Sequence, residues 1–130
     1  MEAYRWVKNN ENVNDFIPLS LINDPPPRIL DDSDKLCASY GLSMFLTLKH
    51  AAKRYQSRIR HTRACHRQKQ IEEYGKEIAL LNLEINDGVA GDLNSDSGHF
   101  TFHQYENVDL KNKITRIFDI FDENGEFITY

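Results

Sequence analysis

Between Lys49 and Lys69 the chain carries eight lysines and arginines, three of its five histidines and no acidic residue. The remainder holds all 20 Asp and Glu residues, so the whole sums to −4. Cations spaced along a helix repel one another, and such a run needs solvent, an acidic neighbour in the fold or an external anion. An external anion would meet Arg54, Arg58, Arg60, Arg63, Arg67 and Lys69. These would neutralise the phosphates of a nucleic acid or face an acidic protein surface, with affinity that falls steeply as salt rises. An internal partner would come from acidic stretches such as residues 31–34. Both readings stand, because no zinc-finger spacing, glycine-rich phosphate loop or RNA-binding aromatic motif accompanies the run.

Smaller constellations point to other chemistry and stop short of it. His61 and Cys65 lie four apart, so on a helix they would share a face as a zinc pair does. A structural zinc takes four ligands and Cys37 is the only other cysteine, so no metal is expected. His99 and His103 share a strand face at a separation too long to chelate one ion. Residues 92–98 alternate oxygen donors as a calcium loop does, yet the glycine and glutamate that define that loop are replaced by Ser97 and His103. This stretch is read as a polar turn. Cys65 has Arg63, His66 and Arg67 around it, a setting that favours the thiolate, whereas the aspartates before Cys37 oppose it. No catalytic partner can be placed beside either thiol.

The elements that must position these groups are partly legible. Thr47 is expected to cap a helix whose apolar stripe runs through Leu48, Ala51, Ala52, Tyr55 and Ile59, with the basic side chains opposite. It would run to Glu73-Tyr74 and stop at Gly75, or break near His61-Thr62, where the stripe fades. Because residues 60–69 lack the stripe, any function of the charge asymmetry is expected in that half. A short helix over 35–40 would be capped by Ser33 or Asp34 and stopped by Gly41. Strands are expected at 4–7, 28–30, 77–85 and 99–105, with a turn at Asn86-Asp87-Gly88 and an extended connection through Pro25–Pro27. In the 99–105 strand Phe100 and Phe102 face one way, and His99, Thr101, His103 and Tyr105 the other. Residues 114–121 and 126–130 would close as a hairpin about Asp122-Glu123-Asn124-Gly125. The fold class is therefore α+β: a largely antiparallel sheet packed by one long basic helix plus a short helix.

Three segments in order carry a resemblance. They are Tyr4-Arg5-Trp6-Val7, then Tyr40-Gly41-Leu42-Ser43-Met44-Phe45 ahead of the basic helix, then the late run 99–106. This layout resembles the smallest members of the ADP-ribosyltransferase superfamily. The resemblance implies an NAD-using enzyme or an inactive descendant of one. Arg5 would hold the pyrophosphate, Ser43 would serve in the second block and Tyr40 or Phe45 would stack on the nicotinamide. His99, His103 or Glu106 would supply the group that stabilises the oxocarbenium-like centre. A glutamate pair at the family's spacing is absent. Residues 37–45 and 98–105 are also similar to segments of small uncharacterised bacterial proteins, a likeness that brings no activity with it.

Composition bounds the rest. With 130 residues, 40% hydrophobic and 28% charged, the chain reads as one globular domain able to bury a core. Its longest apolar stretches fall far short of the roughly 18–20 residues a membrane helix needs. The N-terminus lacks a basic region followed by an apolar core, and two cysteines are too few for a disulfide framework, so a cytoplasmic setting is expected. The leading expectation is a small protein that acts by binding nucleic acid or an acidic protein surface, without cofactor or membrane. NAD enters only under the enzyme alternative. Oligomeric state stays open, since strands 114–121 and 127–130 would pair across a dimer or pack within one core equally well.

Overall fold

The computed structural model describes residues 1–8, 13–18, 30 and 32–130. In strand β1 (Glu2–Val7) Ala3 and Val7 are buried on one face while Tyr4 and Trp6 pack on the other. Apolar demand on both sides places it in the middle of the sheet. Around it lie β2 (Leu42–Phe45), β3 (Glu77–Asn82), β4 (Gly88–Ala90), β5 (His99–Gln104) and β6 (Ile114–Asp119). Their order is β4-β5-β2-β1-β3-β6 and every pairing is antiparallel. With helices α1 (Ser33–Ser39), α2 (Leu48–His61) and α3 (Arg67–Tyr74), this is an α+β domain.

The two faces of the sheet bury separate clusters. On one, α2 lays Ala51, Tyr55 and Ile59 against Phe45, Ile78 and Ile120. On the other, Leu42, Met44, Leu81, Phe100 and Phe102 pack with Phe16 and Leu110 from connecting segments. Phe100 and Phe102 thus face inward as their alternation requires, with His99, Thr101 and His103 on the opposite, half-buried side.

The long basic helix is not one helix. Thr47 caps α2 as expected, its hydroxyl accepting from the His50 amide at 3.1 Å. At Thr62 the backbone turns extended, and the Thr62 hydroxyl donates to the Arg58 carbonyl at 2.8 Å. A 3-10 turn over Ala64–His66 then leads into α3, which ends at Gly75 with φ +86°. The physical reason lies in the stripe. Beyond Ile59 no apolar side chain rewards continued helix, while Ile71 and Tyr74 can reach the same cluster only if the chain bends back. The break also separates His61 from Cys65, so no helix face holds them together.

Other expectations shift by smaller amounts. Asp32, not Ser33 or Asp34, caps α1: its carboxylate accepts from the Asp34 and Lys35 amides, each at 3.1 Å. The strand expected over 77–85 ends at Asn82, and β4 was not foreseen. The C-terminal hairpin shrinks to a single bridge, Phe121↔Phe127, because the second arm leaves the sheet after the turn. Pro25–Pro27, Arg28 and Ile29 lie outside the described residues. No helix among the described residues is long and apolar enough to cross a membrane.

Candidate anion-binding cleft

The β1–β2 ladder has one register pair, Tyr4↔Phe45. Along β2 the side chains alternate, so Ser43 shares Phe45's face, and Phe45↔His99 and Ser43↔Thr101 place His99 beside them. Trp6 of β1 lies on the same face and stacks on Phe45 at 5.4 Å between centroids. Its indole N–H donates to the Ala51 carbonyl of α2 at 3.0 Å, which holds the ring against the helix. His99 meets Phe45 edge-on at 5.5 Å. Above these groups the exposed Arg54 and Arg58 of α2 complete a cleft of about 240 Å³, closed on the far side by Asn94 and Ser97.

The loop holding Asn94 and Ser97 is built locally. The Asn94 side-chain oxygen accepts from the Asp96 and Ser97 amides at 3.0 and 3.1 Å, the polar turn expected over 92–98. Gly98 follows at φ +66°, packed so closely on the His50 ring that a side chain there would collide with it. Its carbonyl accepts from the Leu46 amide at 2.8 Å, pinning the loop to the start of α2.

Within the cleft Ser43 Oγ lies 3.1 Å from His99 Nε2. With the ring proton on Nδ1, Nε2 accepts from the hydroxyl; with it on Nε2, the direction reverses. Burial lowers the His99 pKa below the ordinary histidine range, and the nearby cations of Arg54 and Arg58 lower it further. The imidazole is therefore neutral around pH 7, beside two arginines. Among the described residues the ion pairs are those of Lys113 with Asp87 and Glu84, at 3.2 and 4.0 Å, and none involves Arg54 or Arg58.

The remaining sequence-derived residues scatter. Arg5 lies on the opposite face of the sheet, over the Phe16 ring at 5.9 Å. There it donates to the Asp15 carbonyl at 2.7 Å and, where the β1–β2 ladder stops, to the Ser43 carbonyl at 2.8 Å. Burial lowers its pKa to about 10, opposed by the Asp15 carboxylate, so it stays cationic at neutral pH. Among the described residues only its bond to the Ser43 main chain links it to the cleft. His103 bonds the Cys37 carbonyl at 3.1 Å, and Glu106 is exposed in the turn beyond β5. Of Arg5, Ser43, His99, His103 and Glu106, the fold brings the side chains of Ser43 and His99 together and leaves the others apart. Among the basic residues, Arg67 donates to the Thr62 and Arg60 carbonyls at 3.0 and 3.4 Å and serves the helix break. Arg60, Arg63 and Lys69 are exposed, and the cleft adjoins the first half of the run rather than the second. No family model, curated protein or solved structure matches the chain significantly.

Trp6, Phe45, Asn94 and Ser97 were not singled out as one site. Strand alternation could have placed Trp6 and Phe45 on one face; nothing local relates the 92–98 loop to α2. A larger groove of about 670 Å³ lies beside α3 and the C-terminal turn. Four carboxylates, Glu77, Asp119, Asp122 and Glu123, share it with Lys8 and Lys76. Burial, then Asp119 and Asp15, raise the Glu77 carboxyl above its ordinary range. It brings together no nucleophile, base and anion donor, so the smaller cleft is the better candidate. Cys37 and Cys65 are both exposed free thiols, and no group of three or more His, Cys, Asp or Glu among the described residues is arranged to hold a metal.

Proposed function

We propose that the protein acts by binding, and that its partner is single-stranded nucleic acid met by α2 at Arg54 and Arg58. The observation that carries this reading is the pair of guanidiniums one helical turn apart, exposed and without an ion pair among the described residues. They stand over the partly exposed Trp6, which is stacked on the buried Phe45. Cations that track a backbone beside rings that accept bases are the common means of holding a single strand. A net charge of −4 disfavours broad duplex contact and leaves this local patch as the attractive surface. Arg60, Arg63 and Lys69 would extend the path along the chain.

An NAD-using, ADP-ribosyltransferase-like reading would need Arg5 in the cleft beside Ser43 and His99. Its guanidinium occupies the other face, so the site supports binding better than that chemistry.

The test is anisotropy of a labelled single-stranded 12-mer at low and moderate salt, with wild type, Arg54→Glu/Arg58→Glu and, as control, Lys76→Glu in the distant groove. Losing two phosphate contacts should flatten the log-affinity slope by about 1.4, at roughly 0.7 per contact for single strands. The control should match wild type. Absent binding, or binding indifferent to the double reversal, would refute the reading. Capture of an acidic protein with no oligonucleotide affinity would move the partner to that class.

A further inference from the structure

We infer that the cleft under Arg54 and Arg58 is a receptor for a terminal phosphate monoester attached to a nucleoside, as on a mononucleotide or a 5′-phosphorylated strand end. This rests on the reading of Arg54 and Arg58 as an anion-binding pair, and it names the group that pair receives.

Size comes first. At about 240 Å³ the cleft is smaller than the roughly 300–1,000 Å³ of sites that enclose drug-sized ligands. It takes one end of a ligand and leaves the rest on the surface. Charge comes second. An internal phosphodiester carries one negative charge, whereas a monoester approaches two near neutral pH. Two guanidiniums converging on one small cleft match the second, and each offers forked donors to phosphate oxygens.

The neutral groups select further. Ser43 Oγ and His99 Nε2, 3.1 Å apart, already share a hydrogen bond that a phosphate oxygen can enter, accepting from whichever of the two holds the proton. Among the described residues no carboxylate lines the cleft to repel a dianion. Trp6, partly exposed and stacked on the buried Phe45, gives the cleft an apolar patch that inorganic phosphate leaves unused and a nucleoside covers.

Trp6 is the only tryptophan and lines this cleft, so its fluorescence is a single reporter placed there. Titrations would use adenosine 5′-monophosphate, adenosine, inorganic phosphate, and a single-stranded 10-mer with either a 5′-phosphate or a 5′-hydroxyl. Calorimetry would run in parallel. The monophosphate should change Trp6 emission saturably and bind at least about tenfold tighter than adenosine or phosphate alone, as charge-assisted bonds added to stacking imply. Arg54→Gln/Arg58→Gln should abolish the response, and Ser43→Ala should weaken it severalfold. A phosphorylated strand favoured over its hydroxyl twin identifies strand ends as a source; a response to the mononucleotide alone identifies free nucleotides. That last result would also end the strand-binding reading while leaving this inference intact. Equal affinity for both 10-mers with no response to the mononucleotide overturns this inference and leaves strand binding standing. Calorimetric heat without a Trp6 response overturns it too, and no binding of any probe overturns both.

Discussion

Replacing Tyr55 by Phe removes one oxygen from the centre of the protein and nothing else. The ring is fully buried, with Trp6 at 5.3 Å, Tyr74 at 5.8 Å, Phe121 at 5.9 Å and Phe127 at 6.2 Å between centroids. All of those contacts survive the substitution. The hydroxyl donates to the Gly75 carbonyl at 2.6 Å, joining α2 to the point where α3 ends. Burial, with Tyr74 adding to it, raises the pKa above the ordinary tyrosine value, so the group is a neutral donor throughout the working range. Phe leaves a buried carbonyl without this donor, which costs about 1–3 kcal/mol. For a chain of 130 residues that corresponds to a Tm lower by roughly 4–12 °C. Tyr130 supplies the control, because its hydroxyl donates to the Asp119 carbonyl at the same 2.6 Å but in an exposed setting. There water replaces the lost bond, and Tyr130→Phe should cost less than about 0.5 kcal/mol. Urea unfolding of both variants gives the comparison. Equal costs at the two sites, or a Tyr55→Phe loss below about 0.5 kcal/mol, would show that the Gly75 contact does not hold α3 in place.

Two glycines of positive φ differ in what surrounds them. Gly75 has φ +86° and a side chain there would strike the Val7 carbonyl, whereas Gly125 has φ +77° and open space around it. Gly125→Ala should lose about 1 kcal/mol from the left-handed backbone alone, and Gly75→Ala clearly more; thermal unfolding that ranks them the other way contradicts this packing. His99 sets a pH dependence with a definite sign. Its folded pKa lies below the ordinary value, so on acidification the unfolded chain takes up the proton first, and stability falls as pH drops below about 6.5. The stability difference between wild type and His99→Gln should therefore shift against wild type from neutral to mildly acidic pH. A difference that stays constant across that range would mean the imidazole is not held neutral.

Local pattern accounts for much of what was legible. The period of the apolar residues in 48–59, the Thr47 cap and the Gly75 stop depend on neighbours within a few residues, and the fold honours all three. So does the alternation of Phe100 and Phe102. Where a choice depended on distant partners, the reading had less to work with. The fading stripe marks a break at Thr62 as one of two alternatives; the choice between them follows from Ile71 and Tyr74 reaching the ring cluster around Tyr55, a contact without a local mark. The reduced C-terminal hairpin has the same origin: Phe127 packs on Tyr55 rather than extending the sheet.

By itself the sequence determined that the protein is a small α+β domain and that an acid-free basic segment starts with an amphipathic helix. Only the tertiary structure decided which arginines line a cleft and what they face. Antiparallel pairing of β2 with β5 set Ser43 beside His99, and the packing of α2 on Trp6 and Tyr55 brought Arg54 and Arg58 over them. The same alternation sent Arg5 to the other face, although it lies next to Trp6 in the chain. A strand reverses its side at every residue, so adjacency along the sequence separates side chains that register across strands brings together.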